Sequence, residues 1–435
     1  MNSDKRTFLT ISATFFLFMI SLTAAFDSLD PDGKIEIKWD VMYWTADGYV
    51  ATVTITNFQM YRHITSPRWT LGWVWAKREV IWSMQGAEAT DQGDCSTFTE
   101  TMPHSCKRDP SVVDLLPGAP YNKQVAMCCK GGALTSWGQD PSSAVSAFQL
   151  TVGRSGSSNK TVRLPKNFTL YGPGLGYTCS QAKIAPSSAF YSSDGRRKTN
   201  ALMTWNVTCS YSQFLASETP TCCVSMSSFY NSKVTPCKAC ACGCQDRTAC
   251  ILTETDLQSI MATTNDNAPL LQCTTHNCPI QVHWHVKENY KGYWRVKITI
   301  NNLNYRFNYS QWTLVVEHPN FNNTMEVYSF VYKPLTPFIS KNDTALFHGI
   351  KSFNDVLLQA GPNGNVYSEM IFQKDSTFTL EQGWSFPRKV YFDGDECVMP
   401  FPDSYPFLPN LANANPILLS TLACIFLPIF LTFLS

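Results

Sequence analysis

Charge is scarce in this chain, and neither sign dominates. Only 15% of the 435 residues are Asp, Glu, Lys or Arg, and 34 Lys+Arg nearly cancel 33 Asp+Glu. Nucleic-acid binding rests on a basic footprint, so that class of partner is excluded. The chain also lacks a serine nucleophile elbow and a phosphate-cradling glycine loop, which leaves the common hydrolase and nucleotide-dependent chemistries without their parts. No stretch between the two ends has the 3.6-residue periodicity of a long amphipathic helix. What is abundant is aromatic: 12 Trp, 18 Tyr and 27 Phe, or 13% of the chain.

The two ends differ from everything between them. Lys5 and Arg6 precede an apolar run from Phe8 to Leu22 and then Thr23-Ala24-Ala25, the pattern of a secretory signal peptide over 1–25. Asn410–Ser435 holds no charged residue, and after Pro416 it is apolar from Ile417 to Leu434 apart from Ser420, Thr421 and Thr432. A small-residue site, a polar spacer and an uncharged tail read as a GPI signal, with 411–435 removed and 403–410 linking to the anchor. Asn410 is the preferred attachment residue, because Ala412 is small at the second position after it; Ala412 and Asn413 are the alternatives. The competing reading is one transmembrane helix, but no basic cluster follows the run and Pro428 interrupts it. The mature chain, 26–410, is then formally neutral and begins at Phe26, which leaves an oxidative polysaccharide enzyme built on an N-terminal histidine without support.

Removing Cys424 with the tail from the 17 cysteines leaves 16, an even number suited to an oxidising compartment. The cluster Cys222, Cys223, Cys237, Cys240, Cys242, Cys244 and Cys250 has spacings that would suit zinc in a reducing compartment, but after export the disulfide reading prevails. Six sequons point the same way: Asn159, Asn167, Asn206, Asn308, Asn322 and Asn342 are expected glycan sites.

The chain contains a duplication. Ile35, Trp39, Thr54-Ile55 and Asn57 recur at an offset of 245 as Ile280, Trp284, Thr299-Ile300 and Asn302, and Trp69-Thr70-Leu71 recurs as Trp312-Thr313-Leu314. Further on, 113–122 resembles 355–365 and Phe148-Gln149 resembles Phe372-Gln373. In both copies apolar residues take alternate positions, as in Ile35-Glu36-Ile37-Lys38-Trp39, the pattern of half-buried strands. The expected fold is all-β: two related antiparallel β-sandwich modules, 26–180 and 280–402, flanking a disulfide-rich connector over 181–279.

In a strand over 69–75, Trp69, Leu71, Trp73 and Trp75 share one face. Flat indole rings suit the apolar faces of pyranose sugars. Core packing is the competing role for each ring. Trp39 and Trp69 persist in the second copy and are assigned to the core, whereas Trp73 and Trp75 do not persist and are assigned, with Trp44, to stacking on a sugar polymer. His283 and His285 share a strand face, but without a third ligand no metal is assigned. Glycan hydrolysis needs two facing carboxylates. Asp91, Asp94, Glu100, Asp114, Asp393, Asp395 and Glu396 are available, and acidic loop residues are usually only solvated. No catalytic residue and no cofactor is assigned.

The chain also resembles a known family. The segments 38–64, 69–95, Cys222-Cys223-Val224-Ser225, 237–245, 282–300 and 397–410 are similar to those of the plant COBRA family over nearly the whole length. The resemblance implies a GPI-anchored, extracellular, non-catalytic protein with a cellulose-binding-module-like N-terminal part and a role in cellulose deposition and microfibril organisation. The implied partners are cellulose (β-1,4-glucan), the membrane through the lipid anchor, and wall or cellulose-synthesis proteins. The family's attachment Asn follows Phe-Leu-Pro, which carries over to Asn410. Two departures stand out: Ser105-Cys106 replaces an adjacent cysteine pair, and the segment after Cys244 is short. The alternatives to cellulose association are an adhesion or scaffold role toward wall proteins or lipids and, more remotely, a glycan-active enzyme.

Overall fold

The computed structural model describes residues 27–237 and 280–406, apart from 28, 65–68, 173, 192–193, 213–214, 217–220, 291, 304–308, 319–320, 322–323, 336–342 and 374–385. Among these residues the helices are 3-10 turns of three or four residues and the rest of the regular structure is strand.

The first half contributes β1 (Ile35–Trp44), β2 (Tyr49–Asn57), β3 (Thr70–Val74), β4 (Val80–Gln85), β5 (Ala87–Ala89), β6 (Ser111–Asp114), β7 (Val145–Gly153), β8 (Lys166–Tyr171), β9 (Tyr177–Cys179), β10 (Lys183–Ala185), β11 (Ala189–Tyr191), β12 (Lys198–Asn200) and β13 (Met203–Tyr211). A seven-stranded sheet runs β10-β13-β1-β2-β7-β4, with β9 also on β13, and a four-stranded sheet runs β5-β6-β3-β8. The second half contributes β14 (Cys222–Ser228), β15 (Asn231–Thr235), β16 (Ile280–Asn289), β17 (Tyr293–Asn302), β18 (Leu314–Glu317), β19 (Thr324–Val327), β20 (Phe330–Leu335), β21 (Thr344–Gly349), β22 (Asn365–Gln373), β23 (Lys389–Phe392) and β24 (Asp395–Glu396). Its two sheets run β15-β14-β16-β17-β22-β19 and β20-β21-β18-β23-β24. The fold is therefore two β-sandwiches. Pairing is antiparallel apart from β14 on β16, which is parallel.

The duplication reappears as identical strand register. Ile35 pairs Asn57 and Trp39 pairs Val53; at the offset of 245, Ile280 pairs Asn302 and Trp284 pairs Ile298. Both hairpins carry a bulge at the same place, after Val41 and after Val286. The repeated Asn has one job in both copies. Asn57 Nδ2 donates to the carbonyls of Arg62 and Thr135 at 3.0 and 2.9 Å, and Asn302 Nδ2 to those of Leu357 and Gln359 at 2.9 and 3.0 Å. A buried amide that ties the strand end to a neighbouring loop satisfies backbone acceptors that would otherwise lack water. The Phe-Gln match is not a structural equivalence: Phe148 pairs Val53, whereas Phe372 pairs Trp294, four residues out of step.

The connector expected over 181–279 is divided between the modules. Met203, Trp205, Val207 and Cys209 alternate inward along β13, which pairs β1 within the first sheet. Cys222–Ser228 joins the second sheet through β16. High cysteine density masks this alternation in the sequence, and the first sandwich extends to Tyr211.

The modules are joined by a mixed interface. Leu29, Tyr61, Val315, Leu335, Leu346 and Tyr391 form an apolar cluster, and Thr313 Oγ1 donates to the Tyr61 carbonyl at 2.7 Å. Beside it the Arg62 guanidinium lies 3.5 Å from the Tyr211 ring centroid, with Nη1 3.5 Å from Asp395 and Nη2 3.9 Å from Asp27. His63 Nε2 lies 3.4 Å from Asp393, which also accepts the Thr313 N–H at 2.8 Å. Gly394, at φ +94°, backs onto Arg62, where a Cβ would come within 2.8 Å of Arg62 Cγ. Only glycine both adopts that φ freely and leaves the guanidinium its place.

Candidate functional site

The tryptophans assigned to cellulose lie in the core. Trp73 and Trp75 each keep 2% of their surface. Trp39 stacks on Trp205 at 5.4 Å, and both Trp73 and Trp75 meet Trp39 edge-on, at 5.2 and 6.2 Å. Trp73 and Trp75 also meet each other edge-on at 5.4 Å. These rings fill the space between the two sheets, and a ring without exposed surface has no face to lay on a sugar. Trp44 is half-buried against the same core and meets Tyr49 edge-on at 6.3 Å. The stacking assignment is corrected for Trp73 and Trp75, whereas Trp44 keeps part of its surface.

Duplication is a poor guide here because the second core is filled differently. At the places of Trp73 and Trp75 stand Val316 and His318, both fully buried, and His318 stacks on Trp284 at 5.2 Å. Met226 faces Trp284 where Trp205 faces Trp39. Cores tolerate concerted apolar exchange if volume is kept, so loss of a ring in one copy does not mark it as a ligand contact.

Nor do the acidic residues meet across a cleft. Asp91 pairs Lys107 at 2.7 Å, Asp94 accepts the Ser96 N–H at 3.0 Å, and Glu100 is an exposed loop residue. Asp114 is buried and accepts the N–H groups of Cys129, Lys130 and Gly132, each at 2.9 Å. Asp393 and Asp395 belong to the module interface, and Glu396 pairs Lys389 at 3.0 Å. Among the described residues no group of three or more metal-ligating side chains converges.

His283 and His285 do share a face, with a serine ladder from β14. Ser225 Oγ lies 2.7 Å from His283 Nδ1, and Ser227 Oγ lies 2.8 Å from His283 Nε2 and 2.7 Å from His285 Nδ1. The two serines engage both ring nitrogens of His283, and Ser225 is buried, so it cannot reach a substrate as a nucleophile would. Burial, reinforced by His285 and Lys297, holds His283 down at about 4. The unfolded chain takes up this proton near pH 6.5, before the folded chain does, so stability is fully present above 6.5 and is lost as pH falls toward 4. His283→Gln is expected to remove about 1–3 kcal/mol of this acid sensitivity. Thermal melts at pH 7 and pH 4.5 measure it, and an undiminished difference in the variant would contradict the assignment.

Exposed aromatic surface lies elsewhere in the first module. Tyr43, Val50, Thr151 and Ser83 form one row across β1, β2, β7 and β4, in which Tyr43 and Ser83 are exposed, Thr151 is half-buried and Val50 is buried. Four strands at about 4.8 Å spacing make this row roughly 14 Å long. Tyr43 at one end is 53% exposed. At the other end Trp82, the extra residue of a bulge before Ser83, lies half-exposed and meets Phe98 edge-on at 5.3 Å. Its indole N–H donates to Asp47 at 3.3 Å, and the Arg154 guanidinium sits 4.1 Å from the Phe98 centroid. Trp82 lies against Gly153, where an added Cβ would come within 2.0 Å of Nε1. Behind this rim the face is mixed: Thr52, Thr54 and Thr56 on β2 stand beside Asp40, Lys38 and Glu36 on β1, with Lys38 and Glu36 paired at 3.8 Å, and Gln149 lies on the other side of Thr52. An aromatic rim beside a face of hydroxyls, an amide and a mutually paired Lys38 and Glu36 suits a polyol. Strand alternation does not reveal Trp82, because the bulge moves it out of the alternating pattern.

A family model of the COBRA N-terminal domain matches residues 49–212, and one of the COBRA family C-terminal domain matches residues 221–406. The chain belongs to the COBRA family. It is 62% identical to COBRA-like protein 4 of Arabidopsis thaliana, covering 94% of this chain and 96% of that protein. It is 58% identical to Protein COBRA of the same plant, covering 99% and 96%, and 59% identical to COBRA-like protein 6 of Oryza sativa subsp. japonica, covering 90% and 92%. Among solved structures, a GH20 exo-β-N-acetylglucosaminidase from Vibrio harveyi matches with 12% identity over 31% of this chain and 19% of its own, at a TM-score of 0.22. That overlap is too poor to carry an argument.

The two COBRA domains meet at 212–221, in agreement with the division of the expected connector between the two sheets. Their described cysteines form Cys95–Cys106, Cys128–Cys129, Cys179–Cys209, Cys222–Cys397 and Cys223–Cys237. Thus Cys106 pairs without an adjacent partner at Ser105. Cys240, Cys242, Cys244 and Cys250 lie outside the described residues, as do the leader, Asn410 with the tail, and the sequons Asn308, Asn322 and Asn342. Asn159 and Asn167 are exposed; Asn206 is half-buried on β13, on the face that carries Lys38.

Proposed function

We propose that this COBRA-family chain is a non-catalytic cell-surface protein that associates with cellulose and promotes its deposition and organisation in the plant wall. The observation that carries the reading is the group of partly exposed rings on the first module, where Tyr43, Trp82 and Phe98 stand beside a face bearing Thr52, Thr54 and Thr56. Family membership and the leader and tail patterns support the setting: export, then attachment at Asn410 through a lipid. The engaged carboxylates and the buried Ser225 support a binding role over a hydrolytic one. The glucan contacts are Tyr43, Trp82 and Phe98 in place of Trp73 and Trp75.

The test uses the full chain, produced in plant cells and extracted in detergent, then depleted from solution by amorphous cellulose. Wild type is retained. Tyr43→Ala combined with Trp82→Ala is expected to weaken retention by roughly ten- to thirty-fold, about 1.4–2 kcal/mol, in line with the loss of two stacked rings. A folded double variant retained like wild type would contradict the site.

A further inference from the structure

A second group of exposed rings lies at the equivalent end of the other module. The β16–β17 hairpin corresponds in register to β1–β2, so its tip corresponds to the tip that follows Tyr43. At this tip Tyr290 and Tyr293 pair with ring centroids 4.3 Å apart, and the Tyr290 N–H donates to the Tyr293 carbonyl at 3.0 Å. The adjacent end of β14 adds Phe229 and Tyr230, which meet edge-on at 5.7 Å. The Tyr230 hydroxyl accepts the Asn289 N–H at 3.1 Å, and the Phe229 N–H donates to the Val286 carbonyl at 2.9 Å, which locks the two hairpin ends together. Phe229 is 74% exposed and Tyr230 and Tyr290 are each 43% exposed.

These rings make no second core, since the core of this module lies on the opposite side of the sheet and holds Trp284 and Trp294. Their hydroxyls are fixed by local bonds, Tyr290 to Glu288 and Tyr230 to the backbone. The nearby charges cancel: Glu288 pairs Arg295 at 3.7 Å, and Glu369 pairs both Arg295 and Lys287, the latter at 2.6 Å. A neutral aromatic surface edged with phenols fits an uncharged sugar chain better than an acidic or basic partner.

We propose that Phe229, Tyr230, Tyr290 and Tyr293 form a second contact for the same β-1,4-glucan, so that the protein engages cellulose through both modules. This rests on the function proposed above.

The experiment compares full-length wild type, Phe229→Ser, Tyr230→Ala with Tyr290→Ala, the first-module pair Tyr43→Ala with Trp82→Ala, and the combination of both pairs. Retention on amorphous cellulose and melting temperature are read together. The second-module pair is expected to lose about five- to ten-fold in retention while remaining folded, its melting temperature only slightly lowered by loss of the Tyr230 to Asn289 bond, and the combination to lose nearly all retention. Phe229→Ser, which removes only an exposed ring, is expected to lose two- to three-fold and guards against a folding artefact. Wild-type retention by both second-module variants, while the first-module pair fails, overturns the second contact and leaves the function standing. Absence of retention by wild type itself overturns the function, and this inference with it. Loss of capture of a wall protein by the second-module variants, with cellulose retention intact, also overturns it and assigns the rings to a protein partner.

Discussion

Trp73→Ala is expected to destabilise the first module by about 3–5 kcal/mol. The ring touches Trp39, Trp75 and Phe168, and it bridges the four-stranded sheet to the seven-stranded one. Its removal opens a cavity whose walls are other large rings held by two sheets, so the site collapses poorly. A loss of this size is a large fraction of the roughly 5–15 kcal/mol that holds a domain together. Chemical denaturation followed by tryptophan fluorescence measures it. A variant with wild-type stability and weakened glucan binding would return Trp73 to the surface and contradict the core assignment.

Arg62→Ala should cost about 1–3 kcal/mol, because it uncovers the Tyr211 face and removes the counter-charge of Asp395 and Asp27, which both keep contact with water. The loss falls on the join between the modules. Calorimetry is therefore expected to resolve two unfolding transitions in the variant where wild type shows one. A single transition at an unchanged temperature would show that Arg62 is not what couples the modules. Arg62→Met, which keeps volume and stem packing, is expected to recover part of the loss through Tyr211 but not the charge pairing.

Much of the architecture is legible in the amino-acid residues alone. Strand alternation and the offset of 245 correctly locate β1, β2, β16 and β17, down to the Asn at each second-strand end. What alternation reports is that a side chain faces one side of a sheet or the other, not which side is core and which meets a ligand. The copies of Trp73 and Trp75 are Val316 and His318, which suggests a ligand role for the two rings, yet both sets fill the same interior volume. A bulge hides Trp82 from any period-two pattern, and placing a bulge requires knowing the partner strand. Arg62 has no sequence signal at all: its counter-charge Asp395 lies 333 residues away in the chain, and only the docking of two modules brings them together. The connector looks wider in the sequence than it is, because cysteine density outweighs the alternation in Met203–Tyr211.

These corrections move the proposed sugar contact from the interior to an outer face without changing the class of ligand. They also make the aromatic abundance intelligible. Most of the tryptophans build two cores, and a minority of rings at the hairpin ends remains for binding. The neutral balance of charge suits such a surface, since crystalline glucan offers no charge to complement.

The most direct measurement of the central claim is depletion of the full chain by amorphous cellulose, with Tyr43→Ala/Trp82→Ala as the site control and Trp73→Ala as the stability control. The account predicts that wild type is retained, that the Tyr43/Trp82 variant remains folded and loses roughly ten- to thirty-fold in retention, and that Trp73→Ala loses stability. A folded wild-type protein that cellulose does not retain would contradict the account.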